Sequence, residues 1–436
     1  MPSSAASARR RPGFIPPAHR VLAICFSVLA LVVVGGAAFA SVRLTRTPPP
    51  PRLQFGLPAD LPLAPGHAPA IPVPTTGSFD LVSSDLGRLA VLAPNAVVPI
   101  GSVAKVMTAL VVLQQKPLTG LGSGPTYTIT SQDVSLYNQV VAADGSNVAV
   151  TVGEQFTERQ LLLALLLPSA DNIADTLAAW VAGSQAGFLA ELNAEAKTLG
   201  MTQTTFADAS GLSSQTVSTA ADLVKLGQAA IGNPVLAGLV ASQTARMPDG
   251  TTVHNLDTDL GSVPGWLGIK TGSTSQAGGC LLFAAEHAAP VGDGAEVQLT
   301  GAILGQVTAG ETLDQELADA LNSAAAAVKA AFQDYATVAP RALPAPSLSG
   351  AVTSPWGTSA GLQATLQSGS PPIVVRLGAL LRLSGSEVPH LDPTSVTAGT
   401  VVGHVTGRLG STTIATWSVA ATYDLGTPTW EWLLTH

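Results

Sequence analysis

Two of the chain's six lysines lie in short motifs whose residue types can support covalent chemistry. Ser102 and Lys105 are three positions apart in an almost wholly apolar run, so on a helix the hydroxyl and the amine lie on one face. At the helix N-terminus, Ser102 would sit where the helix dipole and the free N–H groups favour developing negative charge. Burying an ammonium group is costly, so a lysine in such a helix needs a specific role. A serine beside a basic nitrogen is a usual form of activated nucleophile.

Two further polar motifs lie downstream. Ser169 and Asp171 fall on the turn after a predicted helix, and Lys270, Thr271 and Gly272 continue a predicted strand. Taken alone, each motif in the chain has an ordinary structural explanation, such as packing, a helix cap or a turn. Their succession in one chain, in this order, favours a shared site.

The elements that must hold these motifs form a mixed α/β pattern, of the α+β type, over residues 79–335. The helix that follows Ser102 is apolar on nearly every face and is predicted to be buried. Thr157 and Thr312 each open a helix with a capping box. Strands are predicted at 79–93 (two strands around a turn), 265–270, 278–285 and 297–304. We expect an antiparallel sheet with helices packed on it.

The N-terminal region contains a segment long enough to cross a bilayer. Residues 21–42 carry no charge, and a helix of about 20 apolar residues spans the hydrocarbon core. Arginines flank the segment on both sides, so charge alone orients it weakly. We interpret it as a single-pass signal anchor of the cell membrane, with residues 1–20 cytoplasmic and the domain that carries the motifs, 79–335, on the outer side. The alternative is a signal peptide cleaved after Ala38-Phe39-Ala40, and either one exports the rest of the chain.

The segment that follows the apolar run is rich in proline. Residues 43–78 include ten prolines between Pro48 and Pro74, a composition that favours extended conformations and cannot build a core. We predict a semi-rigid linker there.

The C-terminal part, 340–436, changes to a pattern of short strands such as 373–377 and 412–419. In the second of these, Ala415, Trp417 and Val419 share one face, which predicts a small all-β domain of the sandwich or barrel type. The ending Trp430-Glu431-Trp432 is interpreted as an edge strand, with contact to a membrane surface as the alternative.

Composition excludes several classes of function. The formal net charge of −8 argues against a nucleic-acid partner. The two cysteines, Cys25 and Cys280, are far apart, and Cys25 lies inside the apolar run, so we expect no disulfide. The seven histidines lack metal-ligand spacing, and we predict neither a metal ion nor another cofactor.

With its flanking residues, this order of motifs resembles that of the serine D-alanyl-D-alanine carboxypeptidases, the low-molecular-mass penicillin-binding proteins of the peptidase S11 type. The resemblance covers about 79–335. It is carried by the nucleophile segment 100–109, the approach to the second motif (145–147, 152–154 and 166–169), Thr205-Phe206, Ser210-Gly211-Leu212, 219–223 and the third-motif segment 268–274 with 277–278. It implies a β-lactamase/transpeptidase-like catalytic domain, and the β-rich C-terminal part is similar to that of the family more loosely.

The resemblance also implies a reaction and a role for each motif. Ser102 would attack the carbonyl between the last two D-alanines of a peptidoglycan stem peptide, with Lys105 as its base. Ser169 would relay a proton to the leaving amine. The substrate's terminal carboxylate would be held by Lys270 and Thr271, with Gly272 allowing close approach. The remaining implied member of the site is the backbone N–H of Ser273, which would form the oxyanion hole with that of Ser102. β-Lactams would acylate Ser102 by the same route.

One position departs from the family pattern. The second motif of the family is usually Ser-x-Asn, and Asp171 stands in place of the asparagine. An amide can donate a hydrogen bond to the substrate's peptide carbonyl, whereas an ionised carboxylate cannot. The expected consequences are lower activity, altered substrate choice, a protonated Asp171, or an ion pair with Lys105 that holds this base charged.

Two other functions remain open on the sequence. A catalytically weak relative would bind stem peptides as a cell-wall scaffold or sensor, and Asp171 is its best support. A soluble β-lactamase is the other, but the apparent anchor, the extra β domain and the lack of a clear separate deacylating glutamate argue against it.

Overall fold

The computed structural model describes residues 17–288, 292 and 295–436. Residues 1–16, most of the stretch expected to be cytoplasmic, lie outside the described part. The chain divides into two compact units. One comprises 62–339 and 372–380, and the other comprises 340–371, 381–436 and the N-terminal segment up to Leu61.

The helices are as follows: α1 Pro17–Leu44, α2 Lys105–Gln115, α3 Ser131–Ala142, α4 Glu158–Leu166, α5 Asp171–Ala182, α6 Gln185–Thr198, α7 Ala220–Gly232, α8 Pro234–Val240, α9 Leu313–Phe332 and α10 Trp430–Thr435, with 3-10 turns at Gly101–Ala104 and Pro340–Ala342. The strands are as follows: β1 Arg52–Gly56, β2 Asp60–Pro62, β3 Ser78–Ser83, β4 Gly87–Leu92, β5 Val98–Pro99, β6 Thr126–Thr128, β7 Gln155–Thr157, β8 Val217–Ser218, β9 Thr244–Arg246, β10 Thr252–His254, β11 Trp266–Thr274, β12 Gly278–Ala288, β13 Glu296–Gln306, β14 Tyr335–Val338, β15 Ser349–Thr353, β16 Ser359–Gly369, β17 Ile373–Arg376, β18 Leu380–Glu387, β19 Val401–Leu409 and β20 Thr412–Ala421.

The larger unit is built on a five-stranded antiparallel sheet in the order β11-β12-β13-β3-β4. The mixed architecture expected from the sequence is confirmed. Strand β11 is an edge of this sheet, and its residue Lys270 pairs with Leu282 of β12. Because an edge strand has one side without a strand partner, the backbone of β11 is available to a ligand or to another segment of the chain.

Two apolar cores cover the two faces of this sheet. On one face α9 packs through small residues (Ala320, Ala324, Ala327, Ala331) against Phe79 and Phe283 and their neighbours. On the other face lies the larger core around α2, whose residues are almost all buried. The capping boxes at Thr157 and Thr312 are both formed, so these predictions are confirmed. The buried position of α2 places Lys105 inside the unit.

The strand predicted at 373–377 exists, but it belongs to the larger unit. Strand β17 pairs with β14, and Arg376 bonds the buried Asp334 through its Nε at 2.6 Å. The rest of the C-terminal part forms a seven-stranded sheet in the order β1-β15-β16-β20-β19-β18-β2. Ala415, Trp417 and Val419 face its core together, as the alternation predicted.

The Pro-rich region differs from the expected linker, because it supplies two strands of this sheet. Leu53 is buried and pairs with Val352 of β15. Residues 52–57 contain no proline, so their N–H groups can join a ladder. The edge strand predicted at Trp430–Trp432 is wrong: these residues begin the helix α10, and the side chain of Thr429 caps it by accepting a hydrogen bond from the N–H of Trp432.

Helix α1 is long and apolar enough to cross a membrane. Within Ala18–Leu44, an 18-residue window has a mean hydropathy of 2.7, and none of that window is buried in the protein. A helix that is hydrophobic all round and unburied needs an apolar environment outside the chain, or removal as a signal sequence.

Candidate active site

The proposed nucleophile lies on a 3-10 turn that runs directly into α2. Ser102 is half-buried in the turn Gly101–Ala104, and Lys105 is the first residue of the α-helix. The Nζ atom of Lys105 is 2.7 Å from the Oγ of Ser102. The three-residue spacing therefore brings the amine against the hydroxyl, in hydrogen-bond geometry suited to transfer of the serine proton.

Lys105 is fully buried, and its amine has two further partners. Its Nζ lies 2.6 Å from an oxygen of Asp171 and 2.9 Å from the carbonyl oxygen of Ser210. A protonated amine has three N–H donors, and these contacts together with Ser102 supply three acceptors. Burial lowers the pKa of Lys105 from its usual value, while the charge of Asp171 acts in the opposite direction. Asp171 thus opposes the neutral form that a base requires.

Ser169 lies in a strained turn just before α5. Its φ is +66°, in the left-handed region that non-glycine residues rarely adopt, and its side chain is buried. Its Oγ has no hydrogen-bond partner among the residues that the structure describes. A buried hydroxyl without a hydrogen-bond partner costs folding free energy. A ligand or water at this position could therefore form a hydrogen bond with the Ser169 hydroxyl.

Asn172, next to Asp171, is directed away from this group. Its side chain is fully buried and bonds the backbone of Val148 in both directions, at 3.1 and 2.9 Å. The amide at this position therefore fixes the loop around Val148 and does not replace the missing asparagine of the second motif.

Strand β11 brings the third motif to the nucleophile. Lys270 is buried, and its Nζ donates to the carbonyl of Thr271 at 2.9 Å. Burial, followed by the positive charge of Lys105, lowers the pKa of Lys270 to about 7. The two amines are thus close enough to affect each other.

Gly272 sets the distance between this strand and the nucleophile turn. A Cβ at Gly272 would lie 2.9 Å from the backbone N of Ser102 and 3.0 Å from that of Val103. On the opposite side of the contact, a Cβ at Gly101 would lie 3.4 Å from the backbone N of Ser273. Only glycines allow this approach, and the result is that the N–H groups of Ser102 and Ser273 belong to neighbouring backbones, as an oxyanion hole requires.

A loop that the sequence reasoning gave no role completes the surroundings of Lys105. Asp208 accepts hydrogen bonds from the Ser210 hydroxyl and the Leu212 N–H, both at 2.8 Å, and from Thr216. These bonds hold the carbonyl of Ser210 towards Lys105. The sequence signal was the Asp-x-Ser-Gly turn at 208–211, whose ring of local hydrogen bonds is typical of such residues.

A third carboxylate lies near this lysine. Asp175 is half-buried on α5, and burial, with smaller contributions from Asp208 and Asp171, raises its pKa to about 6. Within 17–288 and 295–436, no group of three or more His, Cys, Asp or Glu side chains is placed to hold a metal ion.

Comparison with known proteins identifies one family. Residues 75–290 match the family model described as D-alanyl-D-alanine carboxypeptidase, peptidase S11. The chain is 34% identical over 226 residues to the D-alanyl-D-alanine carboxypeptidase DacB2 of Mycobacterium tuberculosis, which covers 48% of this chain and 71% of that protein. It is 32% identical over 270 residues to a D-alanyl-D-alanine endopeptidase of Pseudomonas aeruginosa, covering 59% of this chain and 77% of that protein. The crystal structure of the Streptomyces K15 DD-transpeptidase aligns with a TM-score of 0.50 at 27% identity, over 60% of this chain and 99% of that one.

Proposed function

Because the chain belongs to the D-alanyl-D-alanine carboxypeptidase family of peptidase S11, we propose that it removes the terminal D-alanine from peptidoglycan stem peptides through an acyl-enzyme. The nucleophile is Ser102, and β-lactams acylate it as covalent inhibitors. The observation that carries this proposal is the contact between the Lys105 amine and the Ser102 hydroxyl, 2.7 Å apart, beneath a strand that Gly272 allows to approach the same serine.

In the acylation step, Ser102 attacks the carbonyl of the last peptide bond and Lys105, in its neutral form, takes the serine proton. The negative charge that develops on the carbonyl oxygen is stabilised by the N–H groups of Ser102 and Ser273. Loss of one such donor typically costs about 100- to 1,000-fold in turnover. Formation of the acyl-enzyme releases D-alanine once its nitrogen is protonated.

Three further groups complete the reaction. Lys270 and Thr271 hold the carboxylate of the terminal D-alanine by charge-assisted hydrogen bonds. Ser169, whose buried hydroxyl lacks a partner among the described residues, relays the proton to the leaving amine. Water then attacks the carbonyl of the acyl-enzyme. Lys105 and Ser169 take up the proton of the water and return a proton to the Ser102 oxygen as it leaves. The requirement for a free carboxylate next to the cleaved bond makes the C-terminal peptide bond the preferred one.

The enzyme lies at the outer face of the cell membrane in this proposal, with α1 as a single-pass anchor. The length and hydropathy of Ala18–Leu44, and the lack of burial of its apolar window in the protein, support this arrangement. Cleavage after Ala38-Phe39-Ala40 is the competing possibility, and the intact mass of the protein recovered from membranes distinguishes the two.

The test uses the full chain and its Ser102→Ala variant, with Ser135→Ala, an exposed serine on α3, as the matched control. Mass spectrometry after incubation with a penicillin should show one covalent adduct on the native chain and the control, and none on Ser102→Ala. A burst of labelling followed by slow release, together with D-alanine release from a pentapeptide, supports the carboxypeptidase. Rapid release with turnover of the penicillin identifies a β-lactamase, and no adduct on the native chain identifies a non-catalytic scaffold.

A further inference from the structure

A cavity of about 800 Å³ lies in the smaller unit, at the outer end of α1. Its walls come from the end of α1, the segment 47–52, the end of β15 with 354–355, and α10. Three arginines line it: Arg43, Arg46 and Arg52. Trp432 and His436 of the C-terminal segment form the facing wall, with their rings stacked at 4.9 Å between centroids.

The arginines are not neutralised by the protein. Within the part of the chain that the structure describes, none of the three forms an ion pair, and no aspartate or glutamate lines the cavity. Arg46 and Arg52 are exposed, and Arg43 is half-exposed with its guanidinium 5.3 Å from the centre of the Phe39 ring. Three arginines that line one cavity and form no ion pair among the described residues favour an anionic ligand.

The depth of the cavity is fixed by the apolar helix. The 20 residues Val21–Ala40 are long enough to span the hydrocarbon core as a helix. Arg43 is three residues beyond Ala40, which is about 4.5 Å along a helix at 1.5 Å per residue. The polar headgroup layer adds roughly 5 to 7 Å on each side of the hydrocarbon core. With the helix spanning a bilayer, Arg43 therefore lies at the level of the lipid phosphates.

The other wall of the cavity has the composition of an interfacial surface. α10 contacts α1, its Trp430 is 64% exposed, and Trp432 packs edge-on against Trp356 with ring centres 6.0 Å apart. Tryptophan is enriched where one side of a ring meets lipid and the other meets polar headgroups. Arginine forks bind phosphate in a bidentate manner, and the stacked rings would pack against the glycerol portion of a lipid.

We propose that this cavity binds the headgroup of an anionic phospholipid of the outer leaflet, with Arg43, Arg46 and Arg52 holding its phosphate. The proposal rests on the membrane-anchored form proposed above. The bound lipid would fix the smaller unit at the membrane surface, since it joins the end of the anchor to β15 and α10.

The experiment uses the full chain in phosphatidylcholine nanodiscs that contain increasing fractions of phosphatidylglycerol. The protein is released from the nanodiscs, and the lipid that stays bound to it is counted by native mass spectrometry. The test variant changes the three cavity arginines to glutamine. The control changes three exposed arginines of the same unit, Arg341, Arg382 and Arg408, to glutamine, so the loss of positive charge is the same. Each basic residue at an anionic surface contributes roughly fivefold to binding, so the test variant should need about 100-fold more phosphatidylglycerol for equal retention. The control variant should match the native chain.

Three results would overturn the proposal: equal retention by the test variant and the native chain, equal loss in both triple variants, or equal retention of phosphatidylcholine. Displacement of the lipid by millimolar inorganic phosphate would show a general anion site instead of a headgroup site. Penicillin labelling of Ser102 in every sample checks the proposed function separately, and intact mass shows whether α1 is retained. Lipid retention can thus fail while the labelling and the anchor both hold.

Discussion

Asp171→Asn is the substitution that tests most directly how this site controls its base. In the native chain, an oxygen of Asp171 lies 2.6 Å from the Lys105 amine, inside the protein. A carboxylate favours the charged form of a neighbouring amine, and the base must be neutral to take the serine proton. Removal of the negative charge should therefore lower the pKa of Lys105, and the rate should rise at acidic and neutral pH.

The size of the effect follows from the distance. Two unit charges 2.6 Å apart interact by about 6 kcal/mol at an effective dielectric constant near 20. Part of this is retained because the asparagine oxygen still accepts a hydrogen bond from the amine, and neighbouring opposite charges typically shift a pKa by about one to three units. We expect the acidic limb of the kcat/KM profile to move down by about two pH units. At pH values below both limbs, D-alanine release should then rise by up to about 100-fold.

The assay is D-alanine release from a pentapeptide across pH, with penicillin acylation measured in parallel. Asp175→Asn is the matched control, since it makes the same change one turn along α5 without a hydrogen bond to Lys105. The acidic limb of the Asp175→Asn profile should move by less than half as much as that of Asp171→Asn. If the limbs of Asp171→Asn and the native chain superimpose, Lys105 is not the group that titrates. Lower activity at every pH would mean that the carboxylate is adapted to this site.

Three more predictions follow from distances and pKa values in the same unit. Gly272→Ala should slow penicillin acylation at least 100-fold, because its Cβ would meet the backbone N of Ser102 at 2.9 Å, whereas Gly238→Ala, with open space around it, should leave the rate unchanged. The KM for a pentapeptide with a free carboxylate should rise above pH 7, where Lys270 loses its proton (its pKa is lowered to about 7), and the KM for an amidated peptide should not. Glu158→Gln should stabilise the protein by about 1 to 2 kcal/mol at pH 8, after a discount for solvent screening, and by almost nothing at pH 4 in urea unfolding. Burial raises the pKa of Glu158 to about 7, so its ionisation costs folded-state stability as the pH rises from 4.5 to 7; equal gains at both pH values would contradict this sign.

The central pair of the site was accessible from the sequence because it is local. Ser102 and Lys105 are on one turn of chain, and helical geometry alone places their side chains together. The flanking patterns were similarly local, and the predicted strands around Lys270 and the helix opened by Thr157 are present. By contrast, the carbonyl of Ser210 reaches Lys105 across 105 positions of sequence. No periodicity or spacing reports such a contact.

In two of the wrong or altered expectations, a more conspicuous feature of the sequence masked a local signal. The ten prolines of the linker concealed the proline-free stretch 52–57, where Leu53 and Phe55 alternate with polar residues as in a strand. The spacing of Trp430 and Trp432 suggested a strand, although Thr429 offered a helix cap just before them. The first outcome depended on pairing with β15, and the second is explained by the local helix cap.

The two buried lysines and Asp171, which bonds Lys105, suggest how substrate binding prepares the base. In the empty site, the charge of Asp171 favours the protonated form of Lys105 against the effect of burial, and a positive charge on Lys105 in turn lowers the pKa of Lys270. A substrate carboxylate bound to Lys270 reverses this balance, because it stabilises the proton there. Above pH 7, where Lys270 is otherwise neutral, the newly fixed positive charge repels a proton on Lys105 and favours the neutral amine beside Ser102. Since the two amines titrate as a coupled pair, the acidic limb of kcat should be displaced from that of kcat/KM. Coincident limbs would mean that Lys270 and Lys105 ionise independently.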